Sequence, residues 1–185
     1  MKTPSGFLTV VIVGALFAGS AFAASDVTDP KQPRSLPAEG PINVSWTDPA
    51  QFSEIRQSGN RWEAKRGDWV KQLAEYVRKR AARDLAPGQR LDVTITDIRR
   101  AGQFEPWHRA SMSSTRVVRD IYPPRIELSF KLTDDGGGVL AQGDRKLTDL
   151  TFMMNSSPVG SSDTLRYERR LIDEWLGKEF KATGT

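Results

Sequence analysis

His108 is the chain's one histidine, set between carboxylates at Asp97 and Asp120 and beside hydroxyls at Ser111, Ser113 and Ser114. A base, an orienting acid and a nucleophile of those types are the parts of an acyl-transfer site. Nothing in the spacing selects these residues over other polar ones, and Ser111 to Thr115 lacks the strand–turn–helix setting of a nucleophile elbow. Asp92, Asp97, Asp144 and Asp149 fall on neighbouring strand segments and offer paired carboxylates for glycoside cleavage. That reaction needs a carboxylate separation of roughly 5–10 Å, which spacing along the chain does not fix. Exposed strand carboxylates are the simpler reading. Asp134-Asp135-Gly136-Gly137-Gly138 has two adjacent acids but neither EF-hand spacing nor a closing glutamate, and reads as a solvated hairpin turn. The absence of cysteine excludes thiol nucleophiles, disulfides, iron–sulfur clusters and cysteine zinc sites, and a single histidine excludes two-histidine metal motifs. No metal and no cofactor is expected.

Binding chemistry is better represented. The segment from Arg99 to Arg125 carries Arg99, Arg100, Arg109, Arg116, Arg119 and Arg125 against Glu105 and Asp120, and holds Phe104, Trp107, His108 and Tyr122. Arginine mixed with aromatic side chains is the composition enriched at protein contact sites. The candidate ligand- or partner-binding residues are therefore Arg99, Arg100, Phe104, Trp107, His108, Arg109, Arg116, Arg119 and Tyr122. The competing reading is an ordered loop whose aromatics fold onto the core and whose arginines stay in water. A second basic element runs from Lys65 to Asp84, where Arg78, Lys79, Arg80 and Arg83 crowd the end of a helical pattern. Cations there are favoured by the helix dipole whatever the function. Concentrated positive charge attracts phosphate headgroups, anionic polymers or acidic proteins.

The elements that must position these residues follow from hydrophobic period. Ile42, Val44 and Trp46 alternate with polar residues as in a half-buried strand. Asp68 stands as a helix N-cap, and Trp69, Leu73, Tyr76, Val77 and Ala81 fall on one helical face before Pro87-Gly88 ends the pattern. Leu91, Val93 and Ile95 mark a second strand, Ile126 to Leu132 a third, and Val139 to Leu150 its hairpin partner, with an extra short strand at Arg116 to Val118. After a polar break at Asn155 to Asp163, Leu165 to Phe180 repeats at helical spacing. One apolar stripe per helix and one apolar face per strand predict a two-layer α+β sandwich with a mainly antiparallel sheet. The first strand reaches the sheet through a helix, so it is expected to pair in parallel with Leu91 to Ile98.

Of the 185 residues 38% are hydrophobic and 27% charged, with 27 basic against 23 acidic side chains, which fits one globular domain and not a polyelectrolyte or an integral membrane protein. Lys2, the apolar run Phe7 to Ala18 and Ala21-Phe22-Ala23 have the order of a signal peptide over residues 1–23, cleaved after Ala23. The run is about a dozen residues, short of the roughly 20 needed to span a bilayer. With no cysteine after the cleavage point, the protein is not a lipoprotein. Residues 24–41 carry Pro30, Pro33, Pro37 and Pro41 among small and charged residues, and are expected to be a flexible leader. A single domain is expected over residues 42–181.

Several segments carry a likeness. Thr96-Asp97-Ile98, Ala101-Gly102-Gln103-Phe104-Glu105-Pro106-Trp107, Asp120-Ile121-Tyr122-Pro123-Pro124-Arg125-Ile126, Asp149-Leu150, Tyr167-Glu168 and Trp175 together resemble the domain of unknown function 3016 family, small exported proteins of Gram-negative bacteria. The resemblance spans about Val44 to Phe180. It implies an export signal, one α+β domain and no accepted activity, and it assigns no site residues. The expectation is thus a periplasmic, non-catalytic accessory protein that contacts an envelope protein, an anionic polymer or a lipid headgroup through the basic aromatic loop. The alternative is a small periplasmic hydrolase using strand carboxylates. An export signal makes nucleic acid a poor partner, and oligomeric state is open.

Overall fold

The computed structural model describes residues 25–107, 113–154 and 162–183, with side chains to Phe180. Residues 1–23, for which a signal peptide is expected, and His108, Arg109 and Ser111 lie outside them, as does most of the polar break at Asn155 to Asp163. Strand β1 (Ile42–Trp46) leads through a 3-10 turn (Pro49–Gln51) to two short helices, α1 (Ser53–Arg56) and α2 (Arg61–Ala64). Helix α3 (Trp69–Ala81) precedes β2 (Arg90–Arg99), the two-residue strands β3 (Gln103–Phe104) and β4 (Arg116–Val117), the hairpin β5 (Arg125–Thr133) and β6 (Val139–Thr148), and helix α4 (Arg166–Thr183). This is the expected two-layer α+β sandwich. The helical pieces between Pro49 and Ala64 were not foreseen, because four-residue helices are too short to show a period.

The sheet order is β1-β2-β5-β6, and β3 pairs with β4 in a separate ribbon. β1 lies parallel to β2, Ile42 beside Leu91 and Trp46 beside Ile95, while β2–β5 and β5–β6 are antiparallel. Alternation puts Val44, Val93, Ile95, Leu128 and Phe130 on one buried face, against Leu73 and Val77 of α3 and Ile172 and Trp175 of α4. Phe130 and Trp175 meet edge to face at 5.7 Å. The opposite face is polar, with Asn43 bonded to Asp92, Ser45 to Thr94 and Lys146 to Glu127. Between β5 and β6, Gly137 takes a φ of +82° and the Asp134 N–H bonds the Gly138 carbonyl, the hairpin turn expected of that sequence. Asp68 does occupy the N-cap position of α3, but makes no capping bond; its carboxylate accepts from the Gln72 side chain instead. No helix among the described residues is long and apolar enough to cross a membrane.

The flexible leader is corrected. Val27 and Leu36 are buried, and the segment is laced to the domain by backbone bonds: Val27 N to Lys65 O, Gly67 N to Ser25 O, Leu36 N to Val44 O and Trp46 N to Arg34 O. Residues 34–36 thereby cover the outer edge of β1. Composition hides this because strand addition draws on backbone groups that every non-proline residue carries, and two buried side chains anchor it. The four prolines also lower the entropy that ordering removes.

Candidate functional site

The Arg99–Arg125 connection is built around buried carboxylates, Glu54 and Glu168 from other elements and its own Glu105. Phe52 and Ile55 bury α1, and the same short helix carries Glu54 to the end of β2. There the Glu54 carboxylate accepts from the Arg100 backbone N–H at 2.9 Å and from its guanidinium at 2.9 and 3.2 Å. Arg116 pairs with the same oxygen and donates to the Gly102 carbonyl at 3.0 Å. Arg100 lies over the Trp69 ring and Arg116 over the Phe104 ring, each at 4.6 Å. Burial is the main influence on Arg116 and pushes its pKa down, against the attraction of Glu54. Glu168 of α4 is fully buried, its Oε1 accepting from Ala101 N at 2.7 Å and its Oε2 without a hydrogen-bond partner. Burial raises its pKa above the ordinary 4.5, opposed by the Ala101 bond and by Arg100. Glu105, also buried, accepts from the Tyr122 hydroxyl at 2.8 Å and pairs with Arg119 at 3.0 Å. The hydrogen bond to Glu105 is the chief reason the Tyr122 phenol is shifted upward.

The candidate residues therefore separate. Arg100, Phe104 and Arg116 face inward and hold the loop to the core, while Arg119 and Tyr122 latch it through Glu105. Arg99 is half-buried, Trp107 stays 63% exposed, and His108 and Arg109 are outside the described residues. Among the described residues, the arginines of the loop do not form one solvent-facing basic surface. Glu54 escapes the sequence reading, and Glu105 and Glu168 enter it only as a counted charge and within the family-like segments, because a lone glutamate looks like a solvated one. The available signal was Glu54 between Phe52 and Ile55, inside an apolar pair.

The carboxylates considered for hydrolysis serve local structure. Asp97 accepts from the Ser53 backbone and hydroxyl, Asp92 from Asn43, Asp149 from Thr151, and Asp144 is exposed. None of them lines a described cleft. Asp120, the other acid considered beside His108, accepts from the Ile121 N–H. No group of three metal-ligating side chains occurs among the described residues.

Two tryptophans stand out on the surface. Trp62 of α2 is 60% exposed beneath the Arg66 guanidinium at 4.6 Å, and Trp107 follows β3. Their segments are fastened together. A side chain on Gly59 would meet the Phe104 carbonyl at 2.2 Å and Pro106 at 3.0 Å. The Gln103 side chain donates to Gln57 O and that of Asn60 to Ser113 O, while Asn60 Oδ1 accepts from Glu63 N to cap α2. Exposed Arg56, Arg61 and Arg66 belong to the same α1–α2 stretch.

Neither a curated protein sequence nor a solved structure matches the chain. A family model does match, over residues 40–178, from just before β1 into α4. That span takes in every strand and all three buried glutamates, and the chain belongs to the family described as Protein of unknown function (DUF3016).

Proposed function

We propose that this protein is an exported, non-catalytic accessory protein of the cell envelope that docks a partner protein through the Trp62–Trp107 surface. The observation that carries the reading is the pair of tryptophans, 60% and 63% exposed on segments that are fastened to each other. Large exposed aromatics are costly to leave in water, and tryptophan with arginine is the composition of interface hot spots. Exposed Arg56 and Arg61 on the α1–α2 stretch favour an acidic partner, while Arg66 is paired with Glu63 at 3.2 Å. Export rests on the apolar run Phe7 to Ala18 followed by the cleavage pattern Ala21-Phe22-Ala23.

Photo-crosslinking in intact cells tests both parts. A crosslinking amino acid at position 62 or 107 should give discrete protein adducts, and one at Lys131 on the polar sheet face should give none. Mature chain beginning at Ala24 should be recovered in the osmotic-shock fraction. Equal adducts at all three positions, or full-length chain retained in the cytoplasm, would refute the proposal.

A further inference from the structure

The far end of α3 carries a feature independent of the tryptophan surface. Tyr76, Lys79, Arg80 and Arg83 follow one another at helical spacing and, with Arg169 of α4, line a cleft of about 280 Å³. Two of these cations are already held. Arg80 pairs with Asp84 at 2.5 Å and with Asp173 at 3.0 Å, and Arg169 pairs with Asp163 at 3.3 Å while lying 5.2 Å over the Tyr76 ring. The Tyr76 hydroxyl donates to both Asp173 oxygens, at 2.9 and 3.0 Å. Burial, then that bond, pushes the phenol up to about 12, so it remains a donor across the neutral range. These contacts fix the floor and walls. Glu75 on the rim is turned to Lys71 at 3.7 Å.

Lys79 and Arg83 are different. Both are exposed, and neither side chain makes an ion pair among the described residues. Lys79, Arg80, Arg83 and Arg169 stand against Asp84, Asp163 and Asp173, with Glu75 balanced by Lys71, so the cleft keeps a surplus positive charge, carried on the two side chains that no acid holds. The helix dipole accounts for cations at the end of α3, but it does not account for a concave wall completed by an arginine from α4. A concave site with surplus cations concentrates an anion, and arginine's planar fork suits phosphate oxygens.

We propose that the α3–α4 cleft binds a phosphate group, free or as a lipid headgroup, with Lys79 and Arg83 as its charge contacts. Titration of the full chain with inorganic phosphate at low salt, followed by calorimetry, should show binding that weakens as chloride is added. K79Q/R83Q should weaken it by about tenfold or more, since each charge-assisted contact is worth about a factor of ten. The control R90Q/K131Q, at exposed strand positions, should leave it unchanged. Vesicles of phosphatidylcholine with and without phosphatidic acid then separate the sources: sedimentation with phosphatidic acid that is lost in K79Q/R83Q assigns the headgroup, and calorimetric binding without sedimentation assigns free phosphate. Absence of phosphate binding in the wild type, or equal binding by K79Q/R83Q, overturns the proposal. W62A/W107A should bind phosphate normally; loss there would place the anion on the tryptophan surface and overturn it equally.

Discussion

Removing the Glu54 carboxylate is the sharpest test of whether the arginine-rich connection is structural. Glu54→Ala leaves two guanidiniums facing each other without their counter-ion, in a site where the side chains of Glu54, Arg100 and Arg116 are 3%, 15% and 20% exposed. Breaking a buried pair from one side costs about 3–5 kcal/mol, because the stranded charge has lost both its water and its partner. In a chain of this length each kcal/mol moves the melting temperature by about 2–4 °C, so the variant should melt some 6–20 °C below wild type. Urea unfolding would measure the same loss as a shift in midpoint at constant slope. Replacing all three residues by apolar ones of similar size should restore much of the stability, since desolvation of the ions is then no longer incurred. A double-mutant cycle between Glu54 and Arg116 should return a coupling above about 1 kcal/mol. If Glu54→Ala costs less than about 1 kcal/mol, as expected of exposed pairs, the arginines are solvated and the inward-folded loop is wrong.

Glu168 has a folded-state pKa raised above 4.5, so the folded protein holds a proton that the unfolded chain releases, and stability should decline as pH rises from about 4.5 through the raised pKa. Glu168→Gln should flatten that decline in melting curves collected from pH 4.5 to 8, and an unchanged slope would clear Glu168 of the effect. A chain starting at Ile42 loses the burial of Val27 and Leu36, about 1.5–3 kcal/mol for each side chain before the ordering entropy is returned; a net loss of about 1–3 kcal/mol is expected in thermal unfolding, whereas an identical melting temperature would show that the segment does not dock. Gly59→Ala drives a methyl to within 2.2 Å of the Phe104 carbonyl and should cost about 1–3 kcal/mol by calorimetry. Its loss of stability should come with loss of crosslinking at position 107, because the same contact sets the seam between the tryptophan segments.

The strands and long helices were legible because their apolar residues repeat with a period that one burial face imposes. Ile42 to Trp46 even yields its parallel partner, since a crossover helix must intervene before Leu91. The candidate site was legible only in outline. Arg100 and Arg116 read as surface charge because their acceptor, Glu54, lies 46 and 62 residues away in the chain, and no local pattern reports a partner at that distance. The same limit hid the docking of Val27 and Leu36, two apolar residues among prolines whose attachment is chiefly through the backbone. Trp107 stands out in the sequence as an aromatic in the loop and is exposed in the structure, whereas Trp62 gives no signal because α2 is a single turn and shows no stripe against which an exposed residue stands out.

The covered edge of β1 carries a kinetic consequence. The β5–β6 hairpin joins residues a few positions apart and can close within microseconds, whereas Ile42 must find Leu91 across the whole of α1, α2 and α3. In a chain synthesised from its N-terminus, the residues made first therefore become native last. Ser35 lies only ten residues from Ser45, so the strap and β1 can pair locally, and the docking of that pair onto β2 closes the fold as its final step. Until then the edge of β1 that β2 will cover is unpaired, and that interval is when the chain is most open to proteases and to pairing with its neighbours. Pulse-labelled hydrogen exchange would register this order as early protection at Leu128 and Phe130 and late protection at Thr47 and Leu91, whose amides bond the Ile95 and Pro41 carbonyls.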